Sequence, residues 1–454
     1  MPPSDARIPL PAPRSTPYGI LRGAPFTGDA ALPSEAEVVI IGGGILGAVT
    51  ALNLAKRNIP VVLCEKAEIG CEASSRAFGW VSEIMVDTLK QPMTQLAKRM
   101  WDDLHAEAGE TGFRRHGVLQ LAETPEELEG LSAWLESCSG TVSDTRLVTA
   151  SQVRERLPTA SRDFAGGLLC ESDGSAEPVL ATAAIAQAAR RAGARIVTGC
   201  AVRGLNLAAG RIAGVYTEKG YIKTSMVLCA ANAWSRLFCG NHGVDVPQIY
   251  AILSMGRTGV TDGPVGAGGV DAWAWRRQID GSYALGGVNG IAAPVTRDAI
   301  KLYNRFKPLM EMMGSGGKVD FGRDAWNDLM LARRWNPAKR SPFERLRVLA
   351  GKTRAEARTS LASNARVFPE MAGARVEETW SGPLTLTPDN MPILGAVSAI
   401  PGFHLATGCT YGITWAPAIG KLMADIMTGR PTDFDAAPYR LERFFDGSPP
   451  IVTY

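Results

Sequence analysis

Residues 37 to 41 (EVVII) form a short, unbroken apolar run rich in β-branched side chains, the pattern of a strand covered on both faces. Gly42-Gly-Gly-Ile-Leu-Gly47 follows without a gap. Apolar residues then recur at helical spacing from Ala48 to Arg57, and Pro60 to Glu65 supplies a second strand that ends in an acid. Strand, glycine turn, helix and strand in this order predict a Rossmann-type βαβ unit that binds a dinucleotide. Gly42 permits the tight turn, Gly44 lets a pyrophosphate reach the backbone at a helix start, and Gly47 allows the helix to pack closely on the sheet. Glu65 lies 23 residues after Gly42, where a carboxylate accepts hydrogen bonds from the adenosine ribose hydroxyls and disfavours a 2′-phosphate.

That fingerprint does not separate FAD from NAD. Other features narrow the class of protein. The 48 basic and 45 acidic side chains nearly cancel, so neither a nucleic acid nor a membrane surface is expected as the main partner, and a small molecule is. The eight cysteines are scattered with no C-x-x-C pair, which signals neither a disulfide framework nor a metal site and fits a cytoplasmic protein. The proline-rich residues 1–33 contain no apolar core run of a signal peptide and read as an extended arm. No stretch has the roughly 18 uninterrupted apolar residues of a membrane span.

Several later segments, in order, resemble the FAD-dependent amine and amino-acid oxidoreductases of the D-amino-acid oxidase superfamily, which includes glycine oxidase and sarcosine oxidase. Gly70-Cys-Glu-Ala-Ser-Ser-Arg-Ala-Phe-Gly79 is similar to the G-x-x-A-S-x-R-x-x-G segment that runs past the pyrophosphate towards the flavin ring. Phe113 to Leu121 resembles the first strand of the substrate domain, and Asp173-Gly-Ser-Ala-Glu-Pro178 its return to the FAD domain. Met226 to Ser235 is similar to V-V-x-A-x-G-x-W-S, with Asn232 where a glycine is usual; Asn tolerates positive φ better than most residues. Trp380 to Gly395 resembles W-x-G-x-x-x-x-T-P-D-x-x-P-I-I-G, and Gly402 to Pro417 the strand, glycine turn and last helix that follow it. In the family that turn brings backbone donors and a helix start to the pyrimidine end of the flavin, where reduction places negative charge.

The resemblance implies non-covalent FAD. Its cofactor-binding residues would be Gly42, Gly44, Ile45, Leu46 and Gly47 in the loop; Glu65 and Lys66 after the second strand; and Ala73, Ser74, Ser75, Arg76, Phe78, Gly79 and Trp80 in the next segment. Val202 would pair with adenine, Ala230, Asn232 and Trp234 would follow a central strand, and Gly395, Gly408, Cys409, Thr410, Tyr411, Gly412, Ile413 and Thr414 would face the ring. The implied fold is α/β: a Rossmann-type FAD domain from 34–95, 165–245 and 370–435, and an α+β substrate domain with a mainly antiparallel sheet from 96–164 and 246–369, with a C-terminal tail from 436 to 454.

The implied reaction oxidises a C–N bond in a secondary amine, N-substituted amino acid or D-amino acid by hydride transfer to flavin N5, giving an imine that hydrolyses, with oxygen or a quinone as electron acceptor. The protein mainly orients the C–H bond and excludes water, so no side-chain base and no metal are required. Two positions depart from the family. Leu384 replaces an arginine that clamps the substrate carboxylate, leaving Arg257, Arg276 and Arg277 as candidate clamps and Tyr250, Trp275, Tyr283 and Tyr411 as candidate pocket walls. Gly382 stands where sarcosine-oxidase-like members carry the flavin-linking cysteine. Two other readings stay open: a monooxygenase using NAD(P)H, and a flavin-bound non-catalytic subunit. A homo-oligomer or a place in a larger dehydrogenase is compatible with either enzyme reading.

Overall fold

The structure is a computed structural model and describes residues 7–287, 291–313, 318–349, 356–448 and 452. Residues 1–6 of the N-terminal arm and most of the tail beyond 448 lie outside the described residues.

The run EVVII becomes a strand, Val38–Ile41, whose four residues are all buried. Val38 and Ile40 point into one core, and Val39 and Ile41 into a second on the opposite face. This two-sided burial is why the run is continuous rather than alternating. The strand sits inside a six-stranded sheet with the order Arg195–Val197, Val61–Cys64, Val38–Ile41, Met226–Cys229, Phe403–Thr407, Ile393–Ala396. The first five are mutually parallel and the last is antiparallel. Helices Ile45–Ala55, Pro178–Arg191, Gln91–Ala108 and Gly412–Met427 cover one face. The other face carries a small antiparallel sheet, Val202–Ala208, Arg211–Thr217 and Gly220–Lys223, with the helix Ser235–Asn241 beside it.

A second, larger sheet is mixed but mainly antiparallel, with Ile249–Thr258 pairing with Val376–Leu386 along its full length. The helix Glu356–Val367 covers this sheet over Trp273, Trp275, Tyr283 and Leu285. Two strands cross the limits expected from sequence. Gly166–Cys170 and Val376–Leu386 fall in stretches assigned to the dinucleotide unit, yet both hydrogen-bond in the larger sheet. Gly166–Cys170 is buried throughout and finds ladder partners on both sides there, which a polar re-entry segment would not need.

The described part of the N-terminal arm is anchored rather than free. Arg14–Thr16 and Gly19–Leu21 form a short hairpin, and Leu21 is fully buried. Arg22 then lies with its guanidinium 3.6 Å above the Trp380 ring and pairs with Glu378.

Candidate functional site

The carboxyl ends of five neighbouring parallel strands deliver, in sheet order, Val202 beyond the first, Glu65 after the second, Gly42 after the third, Ala230 after the fourth and Cys409 beyond the fifth. All five residues line one cavity of about 1520 Å³, counting its open mouth. Strands spaced at about 4.8 Å make this a row roughly 19 Å long, a length suited to an extended dinucleotide rather than a compact metabolite. The row crosses the switch point at Val38–Ile41, where open α/β sheets bind ligands.

The glycine loop is shaped by its residues. Gly42 has φ +111°, a conformation that side chains strain. A Cβ on Gly47 would lie 2.1 Å from the Gly42 carbonyl oxygen, so only glycine lets the helix sit so close to the turn. Gly44 caps the helix Ile45–Ala55 with no side-chain hydrogen bond, and the first turn contains no acid. A helix start so arranged, opening on a cavity, favours a phosphate. Ser74 Oγ reaches across to accept from the Ile45 N–H at 3.0 Å.

Glu65 is 6% exposed, and burial pushes its carboxyl above the usual range. Its oxygens accept from Gly43 N–H at 2.7 Å and Ala67 N–H at 2.8 Å. A carboxylate has about four acceptor positions, so capacity remains for two hydroxyl donors from the cavity. At the far end, Gly408 has φ +72° and a Cβ there would strike Thr387 Cγ2 at 2.6 Å. The chain then passes Cys409 and Thr410 into the helix Gly412–Met427, whose first turn is again free of acids. The Cys409 thiol donates weakly to Thr407 O at 3.6 Å, and burial raises its pKa, which keeps it a neutral thiol. The donor set and the two acid-free helix starts fit FAD.

Of the residues expected to bind cofactor, the cavity gathers Gly42, Gly44, Ile45, Leu46, Glu65 and Lys66, and with them Ala73, Ser74, Arg76 and Phe78. Val202, Ala230, Asn232, Trp234, Cys409, Thr410, Gly412 and Ile413 complete that set. Asn232 has φ +44°, and its side chain accepts from Thr385 Oγ1 at 2.7 Å. The others stand behind the wall. The Ser75 carbonyl is held by Arg22, a Cβ on Gly79 would meet Ala176 O at 2.6 Å, and Trp80 packs edge-on against Phe78. Thr414 donates to Trp80 O at 3.0 Å, Tyr411 packs on Trp415, and Gly395 bends the outer strand at φ +129°.

The substrate candidates fare differently. Leu384 lines the cavity. Arg276 does not: it is 2% exposed, ion-paired to Glu177 at 2.9 Å and donating to Phe78 O at 2.6 Å. Arg257 faces Asp280 and Glu378 at 3.6 and 4.0 Å, and Arg277 is exposed at a strand end. Trp275 and Tyr283 belong to the core under the covering helix, where Tyr283 donates its hydroxyl to Pro264 O at 3.0 Å. Tyr250 borders a separate small hollow. Alternation along these strands distinguishes the two faces correctly, but the aromatic face turns to the helix and not to the cavity. The walls that sequence reasoning missed are Leu253, Met255 and Phe343. The first two reach the cavity through register, opposite Gly382 and Trp380. Lys66 and Arg76 are the cations that line it among the described residues.

A second polar cluster needs separate mention. Glu83, Cys170 and Asp173 approach closely enough to suggest a metal. Lys98 Nζ occupies that place, 2.5 Å from Glu83 Oε2 and 2.6 Å from Asp173 Oδ1.

The fold and cavity define a dinucleotide-binding flavoprotein, and the chain belongs to the DAO family of FAD-dependent oxidoreductases, whose pattern matches residues 37–426. The structure superposes on the L-amino acid deaminase of Proteus myxofaciens, solved with anthranilate, with a TM-score of 0.89 at 31% identity over 93% of this chain and 97% of that one. It is 26% identical to glycine oxidase of Geobacillus kaustophilus over 90% of this chain and 97% of that protein. It is also 26% identical over 418 residues to 4-methylaminobutanoate oxidase (formaldehyde-forming) of Paenarthrobacter nicotinovorans, covering 91% of this chain. The chain spans only 46% of that longer protein.

Proposed function

We propose that this chain oxidises the C–N bond of a secondary amine or an N-substituted amino acid, with D-amino acids as the neighbouring substrate class. The observation that carries this reading is Leu384, which with Leu253 and Met255 lines the cavity with apolar side chains at the place of the family's carboxylate-clamping arginine, leaving Arg76, packed against Gly382, as the cation on this wall. Bound FAD supplies the two-electron acceptor for a hydride from the carbon beside nitrogen. The protein's own part is to bind, orient and keep the site dry. Leu253, Met255, Leu384 and Phe78 give an apolar enclosure that excludes water and holds the C–H bond in place. The acid-free start of the helix Gly412–Met427 favours negative charge that develops beside it.

A substrate carboxylate, where present, has one candidate partner at this end. Arg76 lies against Gly382, where an added Cβ would meet its own Cβ at 2.7 Å, and it donates to Leu349 O. Anaerobic mixing with a panel of secondary amines, N-methyl amino acids, and D- and L-amino acids tests the reading by bleaching of flavin absorbance near ~450 nm. Reduction by N-alkylated substrates supports it. Reduction by L-amino acids alone would replace it with oxidative deamination, the reading favoured by the likeness to the Proteus enzyme.

A further inference from the structure

Half of the large apolar side chains that stand exposed among the described residues fall between Ile300 and Met330. They share a pattern. The helix Tyr303–Met313 and the turn before it bury Leu302, Phe306 and Leu309 and leave Tyr303 and Met310 outside. The helix Arg323–Met330 buries Ala325 and Asp328 while Trp326 is 64% and Met330 67% exposed, and Phe321 just before it is 80% exposed. Such side chains are costly to leave in water in one region, and they mark an interaction surface.

The same segment is basic. Between Arg297 and Arg340 there are ten basic and five acidic side chains, in a chain whose net charge is only +3. Part of that charge lines an open cavity formed with the helix Ser235–Asn241. In it, Arg236 and Arg333 are committed to Asp245, Asp298 and Asp328 at 2.7 to 2.8 Å. Lys301 and Arg334 line the same cavity with no ion pair to a carboxylate among the described residues, and Arg297 donates to the Leu329 carbonyl, which ties the cavity to the helix bearing Trp326. An open hollow lined by Lys301 and Arg334 as well as by the paired arginines and aspartates, beside protruding Trp, Phe, Tyr and Met side chains, matches an interfacial lipid layer: headgroup phosphate in the hollow, aromatic rings at the headgroup level, methionines just below. No helix among the described residues is long and apolar enough to cross a membrane.

We propose that the segment from Arg297 to Arg334 docks the protein peripherally on a bilayer containing anionic phospholipid, with Lys301 and Arg334 meeting the phosphate and Phe321, Trp326 and Met330 entering the interface. The proposal goes beyond the reaction above and does not depend on it.

The test is sedimentation of the purified holoprotein with two sets of vesicles at low ionic strength. One is phosphatidylcholine alone, and the other is equimolar phosphatidylcholine and phosphatidylglycerol. The protein is expected to sediment with the anionic vesicles and not with the neutral ones. The pairs Lys301→Gln with Arg334→Gln, and Phe321→Ser with Trp326→Ser, should each weaken binding at least roughly tenfold. Unchanged flavin content and melting temperature confirm that each variant folds. Absence of sedimentation with anionic vesicles, or binding that neither pair alters, overturns the proposal. So does capture of inorganic phosphate without vesicle binding, or a dimer in analytical ultracentrifugation that Trp326→Ser dissolves.

Discussion

Lys98 shows how one side chain decides the chemistry of a buried cluster. Its ammonium sits between Glu83 and Asp173 at positions with no solvent access; burial pushes both carboxyls up, and for Glu83 the ammonium together with the Thr145 and Ser143 hydroxyls outweighs it and brings the group down to about 2, whereas Asp173 stays raised. Lys98→Met removes the cation that pairs with both buried carboxyls, and chemical denaturation should show a loss of about 3–5 kcal/mol. His242 makes a prediction about pH. Burial pushes its imidazole down to about 4, and its Nε2 accepts from the Leu205 N–H at 3.1 Å. A ring depressed below its unfolded value contributes its full stability above about 6.5 and loses it as pH falls towards 4. Thermal melts across that window should show a decline of about 2 kcal/mol, allowing for its partial exposure, that His242→Gln flattens. Glu65→Ala tests the cavity directly. Loss of a charged acceptor should weaken FAD binding by about 1.5–3 kcal/mol, seen as protein that purifies with substoichiometric flavin.

At the scale of elements, the turn after Met226–Cys229 depends on a single asparagine. Asn232 holds φ +44°, and its side-chain and main-chain oxygens accept from Thr385, Gln248 and Thr407. Asn232→Val should cost about 2 kcal/mol in unfolding experiments, and Asn232→Gly less, because glycine adopts that φ without strain. The βαβ unit was legible in sequence because glycine spacing and β-branched runs are local signals, each settled within a few residues. The substrate walls were not. Strand alternation separates Trp275 from Arg276, but it does not tell which face meets a helix and which a cavity. Arg276 reads as a free charge until Glu177, 99 positions away, is folded against it. Leu253 and Met255 look like ordinary strand residues until register sets them opposite Gly382 and Trp380.

At the scale of the molecule, the cofactor is a structural partner as well as a reagent. The cavity draws on every strand end from Arg195–Val197 to Phe403–Thr407, so a ligand that bridges them stabilises all of them together. FAD at a hundredfold excess over its Kd should add about 2.7 kcal/mol, and removing it should lower Tm in a way that readdition reverses in proportion to concentration. The interleaved order of the strands has one more consequence, for biogenesis. Val38–Ile41 leaves the ribosome well ahead of Phe403–Thr407, which pairs beside Met226–Cys229, supplies the far wall and emerges more than three hundred residues later. Until then the nascent chain carries an unpaired, fully apolar strand edge and nothing to enclose a flavin. Holding that edge apart from other chains during synthesis is a task for a chaperone.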